Sequence, residues 1–339
     1  MHTRFTNLIG TLVRKVAHRV IKRFYPRIQI TGAERIPKTG PVLFCANHPN
    51  SLVDPILIGI AARRPVSFMA KAPLFKTPLL GPIIKALGMV PAYRGRDDAR
   101  QVKKNSASLA LVAKGLKAGR AMGIFPEGVS SDARQLGMVR SGAARIALEA
   151  FDNGVTDLVI IPLGINYDKK EQLGSKVWID VGQPLDLASW IPEHSQDNEE
   201  TIAPSDDKRL RRKLTEELGT ALKKVVVHVN NVDWDPLLTD LEIIFKRTKH
   251  KPSHHIPALM RRKRIADGIN YYYEQNPATA DEIIGEVESY HRELRSAGLV
   301  IDDPILNRSR TYAIFTFLWQ LAVLVLWFLP ALFGSMMNM

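Results

Sequence analysis

Two short motifs in this chain carry residue types that could perform proton-transfer chemistry. The first places His48 ahead of Asp54 in the run NHPNSLVD. A histidine changes charge near neutral pH and can act as a general base, while a carboxylate on its second ring nitrogen would hold its tautomer. The second motif, FPEG, places Glu127 beside Gly128 in an expected turn of backbone amides. With Arg94 between the motifs as an anion anchor, these residues favour acyl transfer onto a hydroxyl of a phosphorylated small molecule.

Such a transfer would use the acceptor hydroxyl as the nucleophile, so it requires no acyl-enzyme. The oxyanion that forms needs hydrogen-bond donors, which the amides of a Gly-containing turn can supply. The lone cysteine, Cys45, lies in an apolar run that predicts a buried strand, where cysteine is usually inert packing. Ser130 and Ser131 lack the Gly-x-Ser-x-Gly elbow of serine hydrolases. We therefore expect neither a thiol nor a serine nucleophile.

The charge of the chain predicts an anionic partner. Its 339 residues carry a formal net charge of +13, which fits phosphorylated substrates, an anionic membrane surface or nucleic acid. A nucleic-acid binder is disfavoured because the sequence holds no recognisable nucleic-acid-binding module. One cysteine excludes an internal disulfide and a thiolate metal cluster, and no His/Asp/Glu group has metal-ligand spacing. We expect no metal and no cofactor beyond an acyl thioester as co-substrate.

Apolar strand-like runs alternate with helical patterns in the first half of the chain. The predicted strands are 41–46, 66–70, 121–125, 158–163 and 177–181, and the predicted helices between them are 54–62, 103–118 and 141–150. This alternation indicates an α/β domain with a mostly parallel central sheet flanked by helices. We place the catalytic domain at 30–191 and a polar linker at 192–208.

A helical extension with a basic face is expected at 209–310. Its lysines and arginines between Lys246 and Arg264 form either a solvated face or a contact with anionic lipid head groups.

Both ends of the chain predict contact with a membrane. Residues 1–29 combine a helical apolar stripe with basic residues, which fits either an amphipathic helix in a membrane interface or a helix packed on the core. Residues 311–334 are uncharged and would span roughly 35 Å as a helix, enough to cross or enter a bilayer. A buried helix, or a hairpin broken at Pro330, is the alternative. Arg308 and Arg310 before this segment predict that the catalytic domain faces the cytoplasm.

Four blocks in order resemble the glycerolipid acyltransferases, which acylate glycerol 3-phosphate, dihydroxyacetone phosphate or lysophosphatidate. The blocks are NHPNSLVD, GMVPAYR (88–94), FPEG and VIIPL (159–163). The resemblance implies the family's fold, an acyl-CoA or acyl carrier protein donor, and a glycerol-phosphate acceptor. It implies His48 as base and Asp54 as its partner. It implies acceptor binding by a further set of residues: Lys71, Arg94, Glu127 and Gly128. Arg96, close to Arg94 in the sequence, is an alternative or an assistant to it.

Two departures from the family pattern bear on the acceptor. Five residues separate His48 from Asp54 where four are usual, and the third block continues VSSD where Thr-Arg-Ser is usual. Both resemble the subgroup that acylates glycerol 3-phosphate or dihydroxyacetone phosphate, so we expect that acceptor, with lysophosphatidate as the alternative. A non-enzymatic membrane adaptor with a basic surface is the rival outside the enzyme class. His228, which precedes Asp233 at the usual spacing, lacks the companion blocks and is interpreted as an ordinary helix-end histidine.

Overall fold

The computed structural model describes residues 2–78, 80–93, 105–128, 134–195, 203–247 and 257–299, with 314–315, 317–319 and 321–324. These residues divide into two compact units. The first comprises residues 1–232 and 257–267, and the second comprises 233–256 and 268–339. Every residue of the candidate site described below belongs to the first unit.

One eight-stranded sheet organises the first unit. Its strands are β1 (Arg27–Thr31), β2 (Val42–Ala46), β3 (Val66–Lys71), β4 (Val90–Ala92), β5 (Ala121–Ile124), β6 (Val159–Tyr167), β7 (Lys176–Val181) and β8 (Leu185–Asp186). The order is β1-β7-β6-β2-β5-β3-β4, with β8 beside β6. Only the β6–β7 and β6–β8 pairs are antiparallel. The predicted mostly parallel sheet flanked by helices is confirmed.

Ten helices are described along the chain. They are α1 (His2–Phe24), α2 (Asp54–Ala62), α3 (Leu80–Ala86), α4 (Asn105–Lys117), α5 (Gly142–Asp152), α6 (Leu187–His194), α7 (Lys208–Val225), α8 (Asp235–Arg247), α9 (Ala258–Gln275) and α10 (Pro277–Ser296). The helix predicted at 54–62 has the predicted bounds. The helical run predicted from 209 is interrupted after α7, because the chain leaves the helix at Val226 in an extended conformation.

The core lies on both faces of the sheet, which explains why its central strands are apolar throughout. All five residues of β2 are buried. Leu43 and Cys45 face one apolar cluster, which includes residues of α4, α5 and α7. Phe44 and Ala46 face the other, which includes residues of α2. A strand covered on both faces reads as a continuous apolar run, as parallel strands do.

Helix α1 has two different apolar faces. One face packs on the rest of the first unit. Ile21 is 7% exposed, and the backbone at Gly10 approaches α3 so closely that an added Cβ would lie 2.5 Å from the Ala86 oxygen. The opposite face leaves Leu12, Val16 and Val20 more than half exposed. The two alternatives drawn from the sequence, a packed helix and an exposed amphipathic one, therefore describe different sides of the same helix.

Two members of the predicted basic cluster are not solvated. The side chains of Arg262 and Lys263 are each only 10% exposed, and they pair with Asp168 at 3.1 Å and Asp267 at 2.8 Å. For these two residues the expectation of a solvated or lipid-facing position was wrong, because each contributes to internal ion pairs of the first unit. Lys249 and Lys251, in the same predicted cluster, lie outside the described residues.

The second unit contains α8 and α10, joined by a hydrogen bond of 2.6 Å between the His291 Nε2 and the Asp240 Oδ2. None of the helices in the described ranges is long and apolar enough to cross a membrane. The segment predicted to do so, 311–334, lies mostly outside those ranges and stays a prediction.

Candidate active site

Three loops converge at one edge of the sheet because of the strand order. Strand β2 lies between β5 and β6 and runs parallel to both. The carboxyl ends of the three strands therefore open at the same edge, where the ligands of α/β sheets usually bind. His48 follows β2, Glu127 follows β5, and Tyr167 ends β6. The residues of the two sequence motifs are thus brought together, and Tyr167, which belongs to neither motif, joins them.

His48 and Asp54 form a buried pair. The His48 Nδ1 lies 2.9 Å from the Asp54 Oδ2, and the two residues are 8% and 0% exposed. Because a carboxylate can only accept, this bond places the hydrogen on Nδ1 and leaves Nε2 with a lone pair. That tautomer is the one a general base requires.

A tight turn accommodates the five residues between histidine and aspartate. The amides of Val53 and Asp54 both donate to the Asn50 carbonyl, at 3.2 and 3.1 Å. Asp54 is then the first residue of α2, followed by Pro55 in the first turn, where proline needs no amide donor. The Asp54 Oδ2 also accepts the Asn50 amide at 2.7 Å. One carboxylate oxygen therefore closes the turn and holds the imidazole.

The plane of the imidazole is fixed by an aromatic neighbour. Phe125, the first residue of the FPEG motif, stacks on His48 with ring centroids 3.8 Å apart and planes 9° apart. Phe68 continues the stack, 5.6 Å from Phe125. Gly123 makes room for it, because an added Cβ would lie 2.1 Å from the Phe68 ring. Ring rotation at His48 is thereby restricted from both the Nδ1 side and the ring face.

Glu127 contacts His48 through the backbone. Its Oε1 accepts the His48 amide at 3.0 Å, and its Oε2 accepts the Gly137 amide at 2.8 Å. The residue is 5% exposed. A buried carboxylate with both oxygens occupied by donors, and carrying negative charge, is a poor contact for a phosphate. Its geometry fits the positioning of the His48 backbone better than the expected place in an acceptor-phosphate pocket.

Gly128 closes a turn. Its amide donates to the Phe125 carbonyl at 3.0 Å, and its φ of 72° is one that glycine adopts without strain. The turn itself uses the hydrogen of this amide, and the expected place of Gly128 in an acceptor pocket stays a prediction. The Arg140 side chain lies against the same turn: a Cβ added to Gly128 would be 3.5 Å from the Arg140 Nε.

The predicted cations are only partly described. Lys71 is exposed at the end of β3, opposite Ala92 of β4. Strand β3 is two strands from β2, so Lys71 shares the edge of the site at a distance of roughly 10 Å between strands. Arg94 and Arg96 lie outside the described residues.

His228 has a role that its interpretation as a helix-end histidine missed. It lies beyond the end of α7, and its Nδ1 accepts the Leu136 amide at 3.0 Å. The next amide along, Gly137, is the one that binds Glu127. On the other side, the Val227 amide donates to the Asn166 side chain at 2.7 Å. The segment after α7 therefore ties the loop that carries Gly137 to strand β6.

Burial sets the electrostatics of the two carboxylates. It raises the pKa of Asp54 above its usual value, while hydrogen bonds from His48, Tyr167 and the Asn50 amide act in the opposite sense. Burial likewise raises the pKa of Glu127, against the Gly137 and His48 amides. The hydroxyl of Tyr167 donates to the Asp54 Oδ1 at 2.6 Å. Each carboxylate is thus desolvated and compensated by directed donors.

His48 lines a small, partly open cleft with walls from the loops after β2, β5 and α7. Its other lining residues are Asn47, Pro49, Glu127, Gln135, Leu136, Val226 and Val227. Within the described ranges no cluster of His, Cys, Asp or Glu could hold a metal ion. The arrangement offers an oriented base at the wall of a cleft, which suits removal of a proton from a bound hydroxyl.

Sequence reasoning missed Tyr167 and Gly137. Tyr167 lies four residues past the VIIPL block and meets Asp54 only because β6 extends to the same edge as α2. No local pattern marks it. Gly137 could have been noticed only as a glycine shortly after the FPEG motif.

The fold and the site together define an α/β domain with a base-and-carboxylate pair at the carboxyl edge of its sheet. A family model described as Acyltransferase matches residues 27–166, which contain this sheet from β1 to β6 and both motifs. Over these residues the chain is similar to the acyltransferase family, and the resemblance to glycerolipid acyltransferases that the motifs carry is confirmed.

Two curated relatives and one solved structure are similar to parts of this chain. The 1-acyl-sn-glycerol-3-phosphate acyltransferase of Borreliella burgdorferi is 25% identical over 179 residues, 51% of this chain and 66% of that protein. A probable 1-acyl-sn-glycerol-3-phosphate acyltransferase of Mycoplasma pneumoniae is 31% identical over 165 residues, 48% of this chain and 59% of the relative. The matches thus span less than two thirds of either relative. The crystal structure of the 1-acyl-sn-glycerophosphate acyltransferase of Thermotoga maritima aligns with a TM-score of 0.40 and 19% identity, over 66% of this chain and 79% of that one.

Proposed function

We propose that this protein transfers an acyl group from acyl-CoA or acyl carrier protein to a hydroxyl of a glycerol-phosphate acceptor. The observation that carries the proposal is the buried pair of His48 and Asp54, 2.9 Å apart, at the wall of a cleft in an acyltransferase-family domain. Neither the reaction nor the residue roles depend on a metal.

In the proposed step, the acceptor hydroxyl oxygen bonds to the thioester carbonyl carbon while the His48 Nε2 takes the proton of that hydroxyl. The tetrahedral intermediate then collapses, the C–S bond breaks, and the imidazolium returns the proton to the leaving thiolate. Asp54 holds the tautomer and stabilises the imidazolium. Glu127 keeps the His48 backbone in place and exchanges no proton with the substrate.

The acceptor phosphate is proposed to bind cations at the same edge. Arg94 carries this role by resemblance, with Arg96 as its assistant and Lys71 at the end of β3. Arg140 is a further candidate, because its guanidinium lies against the Gly128 turn and can meet a phosphate with two parallel donors. Replacement of a true anchor by alanine should raise the acceptor KM with little change in kcat, which is the signature of lost uniform binding.

The acceptor that we place first is lysophosphatidate, because both relatives above carry that specificity in their names. Glycerol 3-phosphate or dihydroxyacetone phosphate, the acceptor expected from the sequence, is the second candidate. Its support is the VSSD continuation of the third block and the five-residue spacing of the first. One panel decides: purified protein, a single acyl-CoA, and glycerol 3-phosphate, dihydroxyacetone phosphate or lysophosphatidate at equal concentrations. The acceptor with the highest kcat/KM identifies the subgroup.

The reaction itself is tested with His48→Ala and Asp54→Asn. General base catalysis contributes about 10²–10⁴-fold, so His48→Ala should lose at least about 100-fold in kcat, and Asp54→Asn should also fall steeply. The second unit offers a matched control, the hydrogen-bonded pair of His291 and Asp240, 2.6 Å apart. The variants His291→Ala and Asp240→Asn should keep their turnover. Full activity in His48→Ala would refute the assignment of His48 as the general base. If the wild type transferred an acyl group to none of the acceptors, the alternative of a non-enzymatic membrane adaptor would be favoured.

We also propose that α1 rests on an anionic lipid surface. Its outer face combines the exposed Leu12, Val16 and Val20 with lysines and arginines on the same side, which are Lys15, Arg19, Lys22 and Arg23. Apolar residues between exposed cations fit the interface of an anionic bilayer.

A fluorescent probe attached to α1 tests this contact independently of any membrane contact that residues 311–334 make. Burial raises the pKa of the Cys45 thiol to about 12, so a thiol-reactive probe will label only an introduced cysteine. A probe on Val16→Cys should shift to the blue with vesicles of phosphatidylcholine and phosphatidylglycerol, and less so in high salt. Leu173→Cys, also exposed but in the β6–β7 connection, is the control. Equal responses at both positions would contradict the proposal.

A further inference from the structure

The far side of Asp54 from the histidine is occupied by a phenol. The Tyr167 hydroxyl donates to the Asp54 Oδ1 at 2.6 Å, while the Oδ2 accepts His48 at 2.9 Å and the Asn50 amide at 2.7 Å. Both carboxylate oxygens are therefore occupied by donors. The Asp54 side chain is wholly buried, so no solvent replaces a donor that is removed.

Among the donors to Asp54, Tyr167 is the only side chain besides the histidine in the described part of the chain. Ionisable groups surround this pocket: Tyr25 directly after α1, His48 in the loop after β2, Glu127 in the turn after β5, Tyr167 at the end of β6 and, beside Tyr25, Glu171 in the β6–β7 connection. Lys170, in the loop after β6, directs its amine to the Pro49 carbonyl at 3.1 Å.

The phenol stays a donor under all working conditions. Burial and the neighbouring Asp54 charge raise the pKa of Tyr167 above its usual value. A buried phenol next to a carboxylate keeps its hydrogen and directs it to the acceptor, which stabilises the ionised form of that acceptor.

From this geometry we infer that Tyr167 is a positioning residue that keeps Asp54 ionised and oriented toward His48, making the pair a three-member His–Asp–Tyr chain. This inference rests on the proposed function for its kinetic consequence. It does not rest on it for the ionisation of Asp54, which can be measured without any substrate.

The change to test is Tyr167→Phe, which removes only the hydroxyl. Loss of a donor to a buried carboxylate favours the protonated form of the His48–Asp54 pair, whichever member holds the proton. A hydrogen bond to a charged group corresponds to about one pH unit. We therefore expect the acidic limb of the kcat/KM profile to move up by about one unit, and the ¹³C titration of the Asp54 carboxyl to move in the same direction.

The matched control is Tyr25→Phe. Tyr25 is 1% exposed and its ring lies 5.5 Å from that of Tyr167, but its hydroxyl donates to the Lys170 carbonyl and not to Asp54. This variant should leave the acidic limb and the Asp54 titration where the wild type has them. The Asp54 resonance is assigned by its loss in Asp54→Asn.

A second substitution protects the test against misfolding and reverses its sign. Site-specific replacement of Tyr167 by 3,5-difluorotyrosine keeps the size of the ring and makes the phenol a stronger donor. The acidic limb and the Asp54 titration should then both move to lower pH.

Opposite shifts in the two Tyr167 variants, with none in Tyr25→Phe, support the positioning role. A uniform loss of activity in Tyr167→Phe, with an unmoved acidic limb and an unmoved Asp54 titration, overturns it. If the wild type acylates none of the acceptors, the carboxyl titration alone decides. A shift of the Asp54 titration in Tyr167→Phe would then support the positioning role of Tyr167 although the proposed function fails. An unshifted titration would refute that role.

Discussion

Glu127 offers a sharp test of how the site is held together, through the change Glu127→Gln. The carboxylate accepts two amides, from His48 at 3.0 Å and from Gly137 at 2.8 Å. A glutamine of the same shape has one oxygen and one NH₂ group, so whichever way it turns, one buried amide faces a second donor. Leaving such a donor unsatisfied costs about 1–3 kcal/mol. We expect a loss of about 2 kcal/mol in the free energy of unfolding near neutral pH.

The pH dependence of this loss has a definite sign. Burial raises the pKa of Glu127, so the folded protein binds a proton on this group more tightly than the unfolded chain does. Its contribution to stability therefore falls as pH rises from about 4.5 through the raised folded pKa. Glutamine has no such slope. The stability deficit of Glu127→Gln should be largest at acidic pH and narrow as pH increases through that window.

Urea unfolding at a series of pH values measures the deficit, and kcat measures the displacement of His48. Glu217→Gln is the matched control. Within the described residues Glu217 accepts one donor, the Trp190 indole, and a glutamine oxygen can accept the same donor. If Glu127→Gln were as stable and as active as Glu217→Gln, Glu127 would not be holding the His48 backbone.

Two further substitutions probe the loop that holds Glu127. A Cβ at position 137 would lie 2.8 Å from the Glu127 Oε2, so Gly137→Ala should lower kcat at least about tenfold, or ~1.4 kcal/mol in the barrier. Gly285→Ala, which meets nothing within 4 Å, should leave kcat unchanged. Burial and Lys223 lower the pKa of His228, so the unfolded chain binds this proton more tightly and wild-type stability should fall as pH drops below ~6.5. His228→Asn, which keeps an acceptor for the Leu136 amide, should show a smaller fall in melting temperature over that range; identical pH profiles would contradict this role.

The parts of the fold that could be predicted are those whose burial is visible in the local pattern of apolar residues. Strand β2 is buried on both faces and is therefore apolar at every position. Asp54 and Pro55, residue types that favour a first helical turn, mark the start of α2. Strand β1 was not predicted, because its sequence RIQIT is half polar, as suits an edge strand with an exposed side. The short helices α3 and α6 also escaped, since each contains a proline and spans fewer than nine residues.

The site was predictable to the extent that its residues share a motif. His48 and Asp54 are near neighbours in sequence, and a turn brings them together. Tyr167 lies 113 positions from Asp54, and only the strand order makes them adjacent. Glu127 was expected beside the acceptor phosphate because the FPEG block resembles the third block of the glycerolipid acyltransferases. Which atoms its oxygens accept depends on the loop at Gly137, and no spacing rule contains that information.

Two carboxylates hold the same histidine in different ways, and this division explains why both are buried. Asp54 accepts the ring nitrogen and fixes the side chain, whereas Glu127 accepts the amide and fixes the backbone. Either alone would leave one degree of freedom, because a fixed ring on a mobile backbone can still move as a body. Each ionised group is costly to bury, and each is compensated by donors whose positions the fold determines. The placement of the imidazole therefore depends on the start of α2, which carries Asp54, and on the turn after β5, which carries Glu127.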